Sequence, residues 1–264
     1  VNGLHRIVVP DGGKIFSEVD EGVFEREEAP APRAIGASLL VVYESAAKPY
    51  SAIVIYDGGF RKGASESATQ TIEGFYEASQ VNPVAKMTHI VGDGRGHLSD
   101  RVLLNGQPVA GGTNPSVSAD GPKWDNTTFN LALPAGASSA AVTVASNGLP
   151  SDCLTYSAMV FSTSVQDTDT DGLLDRWETD PNLVDPEGVP LPNLAAMGAV
   201  NGQKDLFVEV GAMWAAPGTT YGTVADGVGH SHLPMPAVLK KVGDAFWNAP
   251  PANRVRVHFD VGPN

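Results

Sequence analysis

Thr127-Thr128-Phe129-Asn130-Leu131-Ala132-Leu133 alternates large apolar side chains with small or polar ones. Successive side chains of a strand point to opposite faces, so Phe129, Leu131 and Leu133 share one face and Thr128, Asn130 and Ala132 the other. That period predicts a β-strand with one face in a core and one toward water. Val142 and Val144 alternate with Thr143 in the same way within 140–145. Working outward, residues 68–75, 84–91, 101–104 and 154–165 read as further strands, as does Ala52-Ile53-Val54-Ile55-Tyr56. Ser38-Leu39-Leu40-Val41-Val42-Tyr43 has no alternation and predicts a strand covered on both faces.

Turn chemistry separates these runs. Asp57-Gly58-Gly59, Gly92-Asp93-Gly94, Asn105-Gly106, Gly111-Gly112, Asp120-Gly121-Pro122, Pro134-Ala135-Gly136 and Asn147-Gly148 carry the residues that reverse a chain. About eight short strands with no helix between them predict a mainly β fold, an antiparallel jelly-roll-like β-sandwich over residues 35–165. Residues 1–34 read as an N-terminal extension or edge strand, with His5-Arg6-Ile7-Val8-Val9 as the strand candidate and Asp11-Gly12-Gly13 as a turn.

Past the last strand the chain reads Asp167-Thr168-Asp169-Thr170-Asp171-Gly172-Leu173-Leu174-Asp175-Arg176-Trp177-Glu178. This D-x-D-x-D-G-x-x-D-x-x-E pattern fits a twelve-residue calcium loop. Asp167, Asp169 and Asp171 bring three carboxylates to one side, and Gly172 permits the sharp bend. Leu173 offers a backbone carbonyl, Asp175 a direct or water-mediated contact, and Glu178 two oxygens. The plain alternative is a solvated acidic turn before a helix. Pro181 cuts short any helix that follows, and residues 166–180 are therefore a loop segment without the helix pair of a calcium sensor.

Residues 181–203 hold several prolines and read as a linker. Residues 204–264 change class. Asp205-Leu206-Phe207-Val208-Glu209-Val210 is a strand, 236–247 a helix with Leu239, Val242 and Phe246 at helical spacing, and 254–261 a second strand. Pro236 and Asn248-Ala249-Pro250-Pro251 mark the helix ends. Strand, helix, strand is the start of an α/β unit with parallel strands, here small and incomplete.

The chain has 264 residues and a formal net charge of -13. That balance argues against nucleic acid or an anionic membrane as partner. No apolar run is long enough to span a membrane. The lone Cys153 rules out an intrachain disulfide and reads as a small buried hydrophobe. The chain begins at Val1 without a visible signal peptide, which suits a processed or truncated fragment.

Three stretches resemble known families. Leu39-Leu40-Val41-Val42-Tyr43-Glu44 through Tyr56-Asp57-Gly58-Gly59-Phe60, with Trp124-Asp125-Asn126 and Asp152-Cys153-Leu154, resembles an extracellular β-sandwich domain of bacterial and archaeal surface proteins. The acidic loop resembles the calcium repeats of thrombospondin type 3 and dockerin-like segments. Lys204-Asp205-Leu206-Phe207-Val208-Glu209-Val210, His230-Ser231-His232 and Val257-His258-Phe259-Asp260-Val261-Gly262 look like the lead-in of a metzincin-like secreted zinc peptidase domain. Such peptidases bind zinc through His-Glu-x-x-His on a helix, and this sequence has no such motif.

Other constellations are weaker. His230, His232, His258 and Asp260 are candidates for a second metal site, with a solvated Gly-rich loop as the alternative for the first two. Gly92-Asp93-Gly94-Arg95-Gly96 lacks the Lys-Ser/Thr ending of a phosphate loop and reads as a hairpin turn. Trp124, Tyr43, Tyr50 and Tyr56 would line a glycan-binding surface if they are not packed in the sheets. Asn126-Thr127-Thr128 is a glycosylation sequon. The leading expectation is a secreted or cell-surface module, non-catalytic as it stands, in which calcium clamps the sandwich to the α/β segment. The alternatives are the N-terminal part of a secreted zinc metallopeptidase whose catalytic motif lies beyond Asn264, and a subunit of an extracellular assembly. Partners under these readings are an extracellular protein, a glycan or further copies of the chain.

Overall fold

Eight antiparallel strands form two facing four-stranded sheets: β1 (Ser51–Lys62), β2 (Ser67–Ile72), β3 (Ala85–Gly92), β4 (Asp100–Leu104), β5 (Gln107–Thr113), β6 (Trp124–Leu131), β7 (Ala140–Ser146) and β8 (Leu154–Ser164). One sheet has the order β1-β8-β3-β6 and the other β2-β7-β4-β5. Each sheet thus alternates strands from the two halves of the sequence, which is the order of a jelly roll. The computed structural model describes residues 36–92, 100–113, 124–148, 153–221, 224–225 and 227–262. The candidate strand at His5–Val9, the segment 1–34 as a whole, the turns at 93–96 and 120–122, and Asp152 lie outside the described residues.

The alternation read from sequence is the alternation of burial. Phe129 and Leu131 point inward from β6, Val142 and Val144 from β7, and Met87 and Val91 from β3. They meet Ile72, Phe75, Val102, Leu154, Tyr156 and Phe161 in one core between the sheets. Each such side chain removed from water contributes about 1.5–3 kcal/mol against the entropy of ordering the chain. Asn105 and Gly106, at φ 47° and 80°, form the two-residue hairpin joining β4 to β5, both in the left-handed region that such a turn requires.

Three expectations are corrected. The run Leu39-Leu40-Val41-Val42-Tyr43 belongs to no strand, and its side chains are 45–73% exposed. Hydrophobicity does not supply a ladder partner, and the adjoining sheet ends at β1 and β6. The segment is tethered instead at Ser38, which donates to Asn126 Oδ1 at 2.5 Å and accepts from Trp124 Nε1 at 2.9 Å. Second, Asp57-Gly58-Gly59 is not a turn. It is a β-bulge inside β1, where Gly58 at φ 122° absorbs the extra residue opposite β8. Third, Gly111-Gly112 lies within β5, an edge strand that also tolerates Pro108.

The chain divides into two compact units, Val1–Val165 and Gln166–Asn264. In the second, a short helix α1 (Asp175–Thr179) follows the acidic loop and ends before Pro181. Strand β9 (Asp205–Glu209) comes next, followed by two-residue ladder pieces β10 (Trp214–Ala215), β11 (Thr220–Tyr221), β12 (Val224–Ala225) and β13 (His230–Ser231). Helix α2 (Pro236–Trp247) then leads to β14 (Arg256–Asp260), which pairs with β9 in parallel. Leu239, Gly243 and Trp247 line a shallow pocket with Val257 and Phe259 of β14, whereas Val242 and Phe246 of the expected apolar stripe are exposed. Among the described residues no helix is long and apolar enough to cross a membrane.

Candidate metal site

The acidic loop is folded by its own carboxylates. Asp167 accepts the N–H of Thr170 at 2.7 Å on one oxygen and that of Gly172 at 3.1 Å on the other. These bonds reverse the chain, with Thr170 at φ 61° and Gly172 at φ 98°. Glycine occupies that region freely, whereas the β-branched Thr170 carries a strain there that its bond to Asp167 helps to offset. Asp171 Oδ1 accepts from Leu173 N at 2.7 Å, turning the next step. Leu174 is buried beneath the loop and its carbonyl accepts from Glu178 N, setting the first turn of α1.

The outcome is a triad. Asp167, Asp169 and Asp171 each offer a carboxylate oxygen, and these oxygens lie within 4.8 Å of one another. Glu178 is 2% exposed. Its Oε1 and both oxygens of Asp169 are buried and accept no well-formed hydrogen bond. A buried carboxylate oxygen without a donor carries its full desolvation cost. Burial, and then the charges of Asp171 and Asp167, raise the Asp169 carboxyl above its usual range, against the pull of the Asp171 and Gly202 amides. Burial, and then the charges of Asp169, Asp171, Asp205 and Asp175, push Glu178 up to about 8. Orphaned oxygens gathered on one loop are the donor set of a hard cation, and the triad can hold a metal ion.

Asp175 behaves differently. Its carboxylate accepts from Thr168 N and Thr168 Oγ1, both at 2.7 Å, which closes the loop on itself. Leu173 stands at the position that offers a carbonyl, with its N–H committed to Asp171.

Sequence reasoning missed the residues that support the loop from outside. Asp205 N donates to Asp171 Oδ2 at 2.6 Å, and Lys204 Nζ lies 3.4 Å from the Thr170 carbonyl. Both stand 34 positions from their partners. An acidic residue opening an otherwise apolar strand was the visible signal.

The second set of candidate ligands is not gathered. Among the described residues, the acidic triad is the one group of three or more His, Cys, Asp or Glu side chains with ligand atoms so close. His230 and His232 do face each other, with ring centroids 4.7 Å apart. His258 is engaged elsewhere, with Nε2 2.7 Å from Asp205 Oδ1, and Asp260 accepts the N–H of Gly262 at 2.8 Å. Of the four aromatic residues considered for a glycan surface, Tyr56 is fixed by hydrogen bonds to Thr71 O and Glu73 N, and Trp124 by Ser38.

No protein-family model and no curated protein matches the chain. Weak likeness exists to two structures of BuGH86 with neoagarooctaose, at TM-score 0.32 and 12% and 11% identity. Each alignment covers 43% of this chain, and the chain spans only 19% and 18% of theirs. An exo-beta-1,3-galactanase from Phanerochaete chrysosporium with galactose gives TM-score 0.22 and 16% identity over 42% of this chain and 29% of that one. Likeness at this level carries no argument about activity.

Proposed function

We propose that the chain is a calcium-stabilised β-sandwich module of the secreted or cell-surface kind, with a structural or adhesive role and no catalysis of its own. The observation that carries this reading is the set of buried oxygens of Asp169 and Glu178 Oε1 that accept no well-formed hydrogen bond, within a loop of calcium spacing. An all-oxygen set of three aspartates, with Glu178 at the twelfth position of the loop where a bidentate Glu is expected, suits the larger and more flexible shell of calcium rather than the strict octahedron of magnesium. The ion would be structural. It neutralises crowded carboxylates, and the free energy of binding becomes stability of the folded chain.

The supporting bonds described above run from the loop to residues 202–205, so the reading centres on the second unit. This shifts the emphasis of the clamp expected from sequence, because the loop's outside partners belong to its own unit. Extracellular calcium modules bind at roughly 10⁻⁴–10⁻³ M, a range filled where calcium is millimolar. Titration calorimetry of the chelator-treated chain with calcium chloride, with melting curves before and after, tests the reading. Heat of binding and a melting temperature that rises with calcium are expected. A melting temperature indifferent to calcium would remove the structural role.

A further inference from the structure

Asp171 is held from two directions. Leu173 N reaches its Oδ1 from within the loop and Asp205 N reaches its Oδ2 from β9. An ionised carboxylate has about four acceptor positions, so these two bonds orient the group and still leave lone pairs for an ion. Asp205 cannot itself turn toward an ion. Its side chain is fully buried, with Oδ1 against His258 Nε2 at 2.7 Å and Oδ2 accepting Val200 N at 2.9 Å. Because an ionised carboxylate only accepts, the proton of that pair sits on His258 Nε2.

His258 is fixed in turn. Its ring stacks on Phe207, with centroids 4.5 Å apart and planes 12° from parallel. Gly198 closes another side, where a Cβ would come within 3.0 Å of the ring. Arg256, two positions before His258 on β14, donates to Gly198 O at 3.3 Å and to Gln203 Oε1 at 2.9 Å. The turn before β9 is therefore pinned from β14 and from the loop together.

We propose that Asp205 and His258 are positioning residues for the metal loop: His258 locks the Asp205 side chain, and Asp205 presents its backbone N–H to Asp171 in the orientation that ligation needs. The proposal rests on the calcium reading and adds a direction of coupling. If the β9–β14 pair helps to hold Asp171, binding at Asp171 must tighten that pair by the same factor.

The test uses the whole chain. Calcium affinity is measured by calorimetry for the wild type, His258→Ala and His258→Gln, and for Asp205→Asn once circular dichroism shows it folded. The His258 ring signal is followed by NMR during the wild-type titration and identified by its loss in the His258 variants. Supporting partners of metal ligands are typically worth about 10–100-fold in affinity, so His258→Ala and Asp205→Asn are expected to weaken binding at least tenfold. A glutamine amide nitrogen occupies nearly the place of Nε2, so His258→Gln should stay within a few-fold of wild type, which a mere packing role would not predict. The wild-type ring signal should move with calcium. Wild-type affinity in His258→Ala with an unmoved ring signal would overturn the proposal and leave the calcium site standing. Absence of any binding by the wild type would overturn both.

Discussion

Glu178 sits buried in the field of Asp169; Glu178 Oε1 takes no well-formed hydrogen bond, and the Asp169 carboxylate has only the Asp171 and Gly202 amides pulling on it. Two acids so placed favour a proton or a cation over an empty state.

A pH dependence with a definite sign follows. Glu178 rises from the ordinary 4.5 to about 8 in the folded chain. Between those values the folded state binds more protons than the unfolded one, so this group makes stability fall as pH rises. Without metal, the melting temperature of the calcium-dependent transition is expected to drop between about pH 5 and pH 8. With saturating calcium the drop should disappear, because the ion takes the proton's place. Melting curves across that range, with chelator and with calcium, check it.

Removing the charge should separate stability from binding. Glu178→Gln keeps the shape and deletes the buried charge, so the metal-free chain is expected to melt higher than wild type at pH 8. Under the proposed calcium reading the same change removes a bidentate ligand and should abolish the calcium-induced rise. A variant that melts lower without metal would contradict the account of Glu178 as an uncompensated charge.

The sandwich core offers a contrasting case. Phe161 is fully buried, packs at 5.1 Å against Phe75, and lies between Val54 of β1 and Met87 of β3. Phe161→Ala should cost about 3–5 kcal/mol through lost transfer energy and a cavity. Denaturant unfolding measures that loss. Calorimetry should find calcium affinity unchanged, since Phe161 belongs to the other compact unit.

Lys62 and Asp100 make a buried ion pair at 2.8 Å, with side chains 0% and 5% exposed. Breaking it from one side leaves a charge in the core. Lys62→Ala is expected to cost about 3–5 kcal/mol, whereas exchanging both partners for apolar residues of similar volume should recover much of the loss. A double-mutant cycle in denaturant reads the difference.

What could be read from sequence was local. The triad followed from spacing because Asp167, Asp169 and Asp171 close on each other within one turn. Helix α2 was legible because Pro236 opens it and Asn248-Ala249-Pro250-Pro251 ends it. Strand existence followed from alternation at Phe129 and Val142. Illegible features depended on distant partners. Leu39 to Tyr43 has the composition of a buried strand and pairs with no strand among the described residues. The glycines at 58 and 111 signal positive φ equally well in a turn or a bulge, and only the facing strands decide between them. Asp205 and His258 meet across 53 positions, beyond any local pattern.

The parallel pairing of β9 with β14 also sets an order of events. Asp205 meets Arg256 only after the intervening chain has closed on itself, an entropic cost of about 3.5 kcal/mol from loop length alone, plus a length-independent constant. The turns of the acidic loop close across a few residues, and helix α2 is local, on a timescale of about a microsecond. During refolding the ribbon is therefore the late arrival. A loop already loaded with its ion would present a finished surface for the start of β9 to find.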